Sequence, residues 1–126
     1  MLERTMRTGT KSREKEWLWA IVGLGFLLRL GVALWAGNRT EPMPWAYDQV
    51  FYHDVALNLI AGNGFVFTRP PWAFIEPGAP TAYISFLYQP FLAAVYLVFG
   101  PYPLAARLVQ ALLCSLMPVP IYQLTR

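Results

Sequence analysis

The sequence predicts an all-α integral membrane protein, in which transmembrane helices are joined by a loop carrying amphipathic juxtamembrane helices. Hydrophobic residues make up 56% of the 126 residues and charged residues only 13%, which is too apolar for the surface of an ordinary soluble domain. Long apolar runs flank a proline-rich segment, and basic residues cluster before the first run. The length supports one domain at most, so we expect a fragment of an enzyme or a helper subunit.

Residues 1–16 are predicted to form a basic cytoplasmic tail. Five of the ten lysine and arginine residues precede Trp17, and the formal net charge is +3. An excess of basic residues beside the first span is what the positive-inside bias produces. The charge is therefore attributed to topology, with the N-terminus in the cytoplasm, and no nucleic-acid partner is expected.

A first transmembrane helix is predicted over residues 17–35, WLWAIVGLGFLLRLGVALW, because its 19 positions approach the roughly 20 needed to cross the hydrocarbon core. Tryptophans at both ends suit the two membrane interfaces. A cleaved signal peptide is the alternative, but the run is longer than a usual h-region, contains Arg29 and lacks an A-x-A site. Arg29 is costly at mid-bilayer, so we expect it either to snorkel outward or to face a charged ligand or partner helix.

Residues 36–103 are predicted to form an outside loop, whose first interfacial helix covers about residues 49–61. Phe51, Val55 and Leu59 recur at every fourth position, as in an amphipathic helix that lies along a membrane surface. The polar residues of the same segment, His53, Asp54 and Asn58, share the remaining side and are interpreted as its solvated side. Ala61-Gly62-Asn63-Gly64 should end the helix, because these residues accept left-handed backbone angles.

A second interfacial helix is predicted over residues 83–99, YISFLYQPFLAAVYLVF, because a run of this length interrupted by Gln89-Pro90 suits a half-inserted helix better than a full span. The hinge GPYP at residues 100–103 stops it. Residues 104–125 then form the second transmembrane helix, which returns Arg126 to the cytoplasmic side.

Asp48 opens the first interfacial helix and has two interpretations. It is either an N-cap that accepts backbone N–H bonds, or a carboxylate held at the membrane face that acts as a base or metal ligand for a substrate arriving from the lipid. One histidine and scattered carboxylates do not make a metal site by spacing. Cys114, the only cysteine, is interpreted as a small hydrophobic residue.

The order of four segments carries a family resemblance. A span is followed by YDQVFYHDVALNLIAGNGF, by EPGAPTAYISFLYQPFLAAVYLVFG and by AARLVQALLCSLMPVPIYQLTR. This order resembles the N-terminal part of the GT-C membrane glycosyltransferases, in particular bacterial relatives of dolichyl-phosphate-mannose protein mannosyltransferases and of lipid A aminoarabinose transferases. The matching positions are Asp48, Tyr52, Ala56, Gly62, Gly64, Phe65, Phe91, Leu92, Ala93, Tyr96, Phe99, Gly100, Arg107 and Leu108. Gln49 departs from the pattern, since many relatives have a second acid there.

The resemblance implies sugar transfer, with inversion at the anomeric carbon, from a polyprenyl phosphate to an acceptor lipid, glycan or protein at the outer face of the cytoplasmic membrane. By the same resemblance Asp48 would be the catalytic aspartate, and a divalent metal ion near the donor phosphate is compatible with this role. Tyr52 and Arg107 would contact the substrate; Arg107 would either neutralise phosphate as a forked cation or anchor the last helix at the interface.

The family members have many more helices than this chain, so the resemblance implies that these residues are an N-terminal portion, inactive when alone. The competing interpretation is a small non-enzymatic membrane protein that binds a partner or lipids through its interfacial helices. Aromatic belts and amphipathic helices fit both interpretations.

Overall fold

A computed structural model describes residues 2–41, 47–70 and 73–125, with side chains from residue 13 onward. This described part contains five α-helices: α1 (Leu2–Ala36), α2 (Asp48–Ile60), α3 (Tyr88–Phe99), α4 (Pro103–Ser115) and α5 (Pro118–Leu124). Its only extended pairing is an isolated antiparallel bridge between Val66 and Pro80. The all-helical prediction is therefore confirmed for the described residues. The chain divides into two compact units, one formed by Met1–Trp35 with Leu108–Arg126 and the other by Ala36–Arg107.

Helix α1 is longer than the predicted span, since it begins at Leu2 and includes the predicted basic tail. Glutamate, lysine, arginine, methionine and leucine in that tail are good helix formers, and no proline interrupts them. By length and composition, two helical segments can cross a membrane: Arg13–Ala36 and Pro103–Leu124. The side chains of residues 1–12 and all of Arg126 lie outside the described residues.

The first unit presents one packed stripe and a large apolar surface. Val22 and Ala33 on α1 are buried, as are Ala111 and Ser115 on α4. The Tyr122 hydroxyl donates to a Glu14 carboxylate oxygen at 3.1 Å, so the end of α5 contacts the early part of α1. The large apolar side chains on the other sides are more than half exposed, among them Trp17, Trp19, Ile21, Leu24, Leu27, Leu28, Val32, Leu34 and Trp35.

The second predicted span is not one regular helix, because α4 and α5 are separated by a turn at Leu116-Met117. Pro118 has no N–H to donate to the carbonyl four residues before it, and the same is true of Pro120. The helical path nevertheless continues, since Leu116 N–H bonds to Leu112 O at 3.3 Å and Val119 N–H bonds to Leu116 O at 2.9 Å.

The second unit is built on the packing of α2 against α3, and the loop that follows α2 covers one side of this pair. Val55, Ala56 and Phe67 are completely buried, and Leu92 and Tyr96 of α3 are nearly so. Phe67 belongs to the loop after α2 and meets the ring of Phe51 edge-on, with centroids 5.9 Å apart. As expected, Gly62 and Gly64 turn the chain after α2 with φ of 80° and 83°.

Helix α3 begins at Tyr88, five residues later than predicted, and Pro90 does not interrupt it. Pro90 lies in the first turn, where a missing N–H costs nothing because the first N–H groups of a helix have no intrahelical acceptor. The 12 residues of α3 span about 18 Å, which is well short of the roughly 30 Å hydrocarbon core. The helix ends at the predicted hinge, where Gly100 has a φ of 85°.

Candidate functional site

Asp48 is the first helical residue of α2 and not its N-cap. Tyr47 holds the cap position with helical angles, and no side chain caps the helix. The capping interpretation of Asp48 is therefore wrong for this structure. Its carboxylate is exposed and lies in the first turn of α2. A solvent-accessible carboxylate at the start of a helix is available for chemistry.

Tyr52, one turn along α2 from Asp48, lies in the seam between α2 and α3. Its ring meets the Tyr88 ring edge-on at a centroid distance of 5.1 Å, and Tyr88 in turn stacks on Phe91 at 6.1 Å. Tyr52 is half-buried, so it packs the seam while part of its surface stays accessible. Its predicted contact with substrate stays a prediction.

Arg107 on α4 binds the chain segment that directly follows α1. Its Nη1 donates to Gly37 O, and its Nη2 donates to Arg39 O at 2.6 Å. The Asn38 side-chain oxygen accepts from Leu104 N–H at 3.0 Å, which satisfies an N–H in the first turn of α4. The Arg107 guanidinium is thus engaged by backbone carbonyls, so in this conformation it positions the loop segment; its predicted phosphate contact stays a prediction.

The polar side of α2 is not the solvated side that the sequence predicts. His53 Nδ1 lies 2.9 Å from the Tyr96 hydroxyl, and Asp54 Oδ2 accepts the Thr68 N–H at 2.7 Å. Asn58 is 9% exposed and lies inside the unit. The solvated interpretation is wrong because α3 and the loop after α2 cover this side of the helix.

Asn58 is the centre of a buried network that sequence reasoning missed. Its Nδ2 donates to Val66 O at 3.1 Å and to Thr68 Oγ1 at 3.0 Å, and its Oδ1 accepts from Asn63 Nδ2 at 3.1 Å. These bonds fasten the loop to α2 and satisfy a buried carbonyl. The available signal was that Asn58 lies three residues after Val55, on the buried side of α2.

The His53–Tyr96 contact joins α2 to α3 and is partly shielded from water. Burial lowers the pKa of His53 below its usual value, and the neighbouring Asp54 carboxylate opposes that effect more weakly. Burial, reinforced by Tyr88, raises the pKa of Tyr96 to about 12. Both groups are therefore neutral near pH 7, and the pair shares one hydrogen bond between Nδ1 and the hydroxyl.

An open cleft of about 320 Å³ lies along the surface of α2. Three apolar and four polar or charged residues line it. The lining residues are Val50, Phe51, His53, Asp54, Leu57, Thr68 and Arg69. At 100° per residue, Val50 and Leu57 lie on the side of the helix opposite Asp48, so this cleft is separate from the Asp48 carboxylate.

Gln89, in the first turn of α3, is completely buried, and among the residues that the structure describes neither polar atom of its side chain has a hydrogen-bond partner. Buried carboxamides are almost always paired, so this residue is an exception within the core of the second unit. Sequence reasoning identified Gln89 only as part of an interruption in a helix.

A metal site does not form from the side chains that the structure describes. Among the side chains of residues 13–41, 47–70 and 73–125, no group of three histidine, cysteine, aspartate or glutamate residues could hold a metal ion. The residues around Asp48 therefore do not by themselves fit the divalent ion that the family resemblance allows.

Comparison of the chain with protein-family models, with curated proteins and with solved structures finds no match.

Proposed function

We propose that this chain is the N-terminal portion of a polyprenyl-phosphate-sugar-dependent glycosyltransferase of the GT-C type, which acts at the outer face of the cytoplasmic membrane. The observation that carries the proposal is that the Asp48 carboxylate is exposed and has no capping role. Of the two carboxylates on α2, Asp54 is engaged by a loop N–H, whereas Asp48 is exposed and caps nothing. The order of segments described above supplies the family.

The membrane setting rests on the exposed apolar surface of the two candidate spans. Leu27, Leu28 and Val32 are each 65% exposed, and Trp35 is 75% exposed. Contiguous apolar surface of this kind is rare on soluble monomers and is covered in the cell by lipid or by other helices. We therefore treat both segments as membrane-spanning.

Two hydrogen bonds support the two-span topology. One joins the start of the first candidate span to the end of the second, and the other joins the residues just after the first span to the start of the second. Glu14, early in the first candidate span, bonds to Tyr122, late in the second. Asn38, just after the first span, bonds to Leu104, at the start of the second. Antiparallel spans return the chain to its starting side, and the basic residues before Trp17 place that side in the cytoplasm. Asp48 is then outside.

In this setting Asp48 acts as a general base. The carboxylate accepts the proton of the acceptor hydroxyl while that oxygen forms a bond to the anomeric carbon of the donor sugar. The bond between that carbon and the polyprenyl phosphate breaks with its electron pair on the phosphate oxygen, and the anomeric carbon is inverted. Its exposed position in the first turn of α2 leaves the carboxylate accessible to an acceptor hydroxyl.

The test is Asp48→Asn in the enzyme as its gene encodes it. Asparagine has the same size and removes the base, so we expect transfer from a polyprenyl-phosphate sugar to fall by about 10²-fold or more, with normal membrane yield. Glu76→Gln is the matched control. Glu76 is an exposed carboxylate of the same predicted outside loop, residues 36–103, so this variant should retain full activity. Full activity in Asp48→Asn would favour the non-enzymatic membrane protein instead.

A further inference from the structure

The cleft along α2 is lined by two residues of opposite charge, Asp54 and Arg69. The loop residue Thr68 donates its backbone N–H to Asp54 Oδ2 at 2.7 Å, and the next residue, Arg69, lines the same cleft as Asp54. The contacts among the described residues leave the other carboxylate oxygen, Oδ1, and the Arg69 guanidinium without a partner. The site thus offers one acceptor of a cation and one donor to an anion.

The other residues of the cleft indicate which kind of ligand could bind to Asp54 and Arg69. Val50 and Leu57 form an apolar wall that opens to the surface, and His53 adds a neutral ring whose Nδ1 is already bonded to Tyr96. The remaining ring nitrogen, Nε2, is the one available to a ligand. A ligand with a single charge would leave either Asp54 or Arg69 unpaired, whereas a ligand carrying both charges pairs both of them.

We propose that this cleft binds a phosphoethanolamine group, with its phosphate on Arg69 and its primary ammonium on Asp54. Arg69 presents a planar fork that matches phosphate oxygens. A primary ammonium donates hydrogen bonds to the carboxylate, which a quaternary choline cannot do, and choline recognition instead depends on aromatic cages. Among the described residues that line the cleft, Phe51 is the only aromatic ring besides the His53 imidazole. The apolar wall accommodates the hydrocarbon that follows the headgroup in a lipid.

The test is binding by the full chain in detergent. Short-chain dihexanoyl phosphatidylethanolamine is titrated beside the phosphatidylcholine and phosphatidylglycerol of the same chain length, and Kd is measured by calorimetry. We expect the ethanolamine lipid to bind about ten-fold more tightly than either of the others, because each of those loses one charge-assisted hydrogen bond. Tail-free glycerophosphoethanolamine should compete at the same site but more weakly, which separates the lipid from the free headgroup as the ligand.

Two variants locate the binding. Arg69→Gln and Asp54→Asn should each weaken binding of the ethanolamine lipid by about ten-fold, and Asn can still accept the Thr68 N–H, so the loop should stay folded. Arg39→Gln is the matched control, because Arg39 is an exposed arginine of the same unit whose side chain lies outside the cleft. Equal affinity for the three lipids, or unchanged affinity in Arg69→Gln, overturns the proposal. This assay is independent of sugar transfer, so it can fail while the proposed enzyme function stands.

Discussion

The buried carboxamide of Gln89 provides the sharpest test of the fold. The side chain is 0% exposed, and both of its polar atoms are buried with no hydrogen-bond partner in the described part of the chain. A buried polar group left unpaired costs about 1–3 kcal/mol. Leucine has a similar volume and no polar atoms, so Gln89→Leu should raise the free energy of unfolding by about 1–3 kcal/mol. For a unit of this size each kcal/mol corresponds to a Tm shift of roughly 4–8 °C.

The assay is thermal unfolding of the full chain in detergent, followed by circular dichroism. Gln123→Leu is the matched control: Gln123 is exposed on α5, so the same change should alter stability by less than about 0.5 kcal/mol. Gln89→Glu should be strongly destabilising, because it buries a charge in the α2–α3 core. A lower Tm in Gln89→Leu would refute the reasoning, since it would mean that the carboxamide has a polar partner in the folded protein.

Three further predictions concern the second unit. Asn58→Leu should lower the free energy of unfolding in urea by about 1–3 kcal/mol, because it leaves a buried loop carbonyl unpaired; unchanged stability would contradict the network. Burial lowers the folded-state pKa of His53, so the unfolded state binds the proton more tightly than the folded state. The free energy of unfolding should therefore be highest above about pH 6.5 and should fall as the pH falls toward the folded-state pKa. His53→Phe should remove that dependence between pH 7 and 5, since the chain has no other histidine. Gly100→Ala should lower the Tm, because φ is +85° and the new Cβ would lie 2.8 Å from the Tyr102 ring, whereas Gly31→Ala in open space on α1 should not.

The sequence predicted the helices well where local signals agree. The period of Phe51, Val55 and Leu59 placed α2 within one residue at each end, and the left-handed angles of Gly62 and Gly64 follow from residue type alone. The start of α3 was missed because Pro90 was interpreted as an interruption, although proline is equally suited to a first turn. Local sequence does not distinguish those two uses of proline.

The interior of the second unit was harder to predict, because it depends on contacts between distant residues. His53 and Tyr96 are 43 positions apart in the chain, and nothing in the sequence near His53 points to that contact. The same is true of Arg107, whose carbonyl partners lie about 70 positions earlier. Periodicity shows that one side of a helix is polar, but only the tertiary fold decides whether that side faces water or a loop.

The polar residues of α2 fall into two kinds: side chains that hold the fold together by hydrogen bonds, and the exposed Asp48 carboxylate, which is accessible to a ligand. Asn58 and one oxygen of Asp54 hold the loop after α2, and His53 holds α3. These bonds fix α2 at both sides, so the exposed Asp48 at its start is carried by a rigid element and not by a mobile loop. A general base must be held within hydrogen-bond reach of its proton, and rigid support of this kind is what such a carboxylate requires. The buried network therefore anchors the helix that carries Asp48.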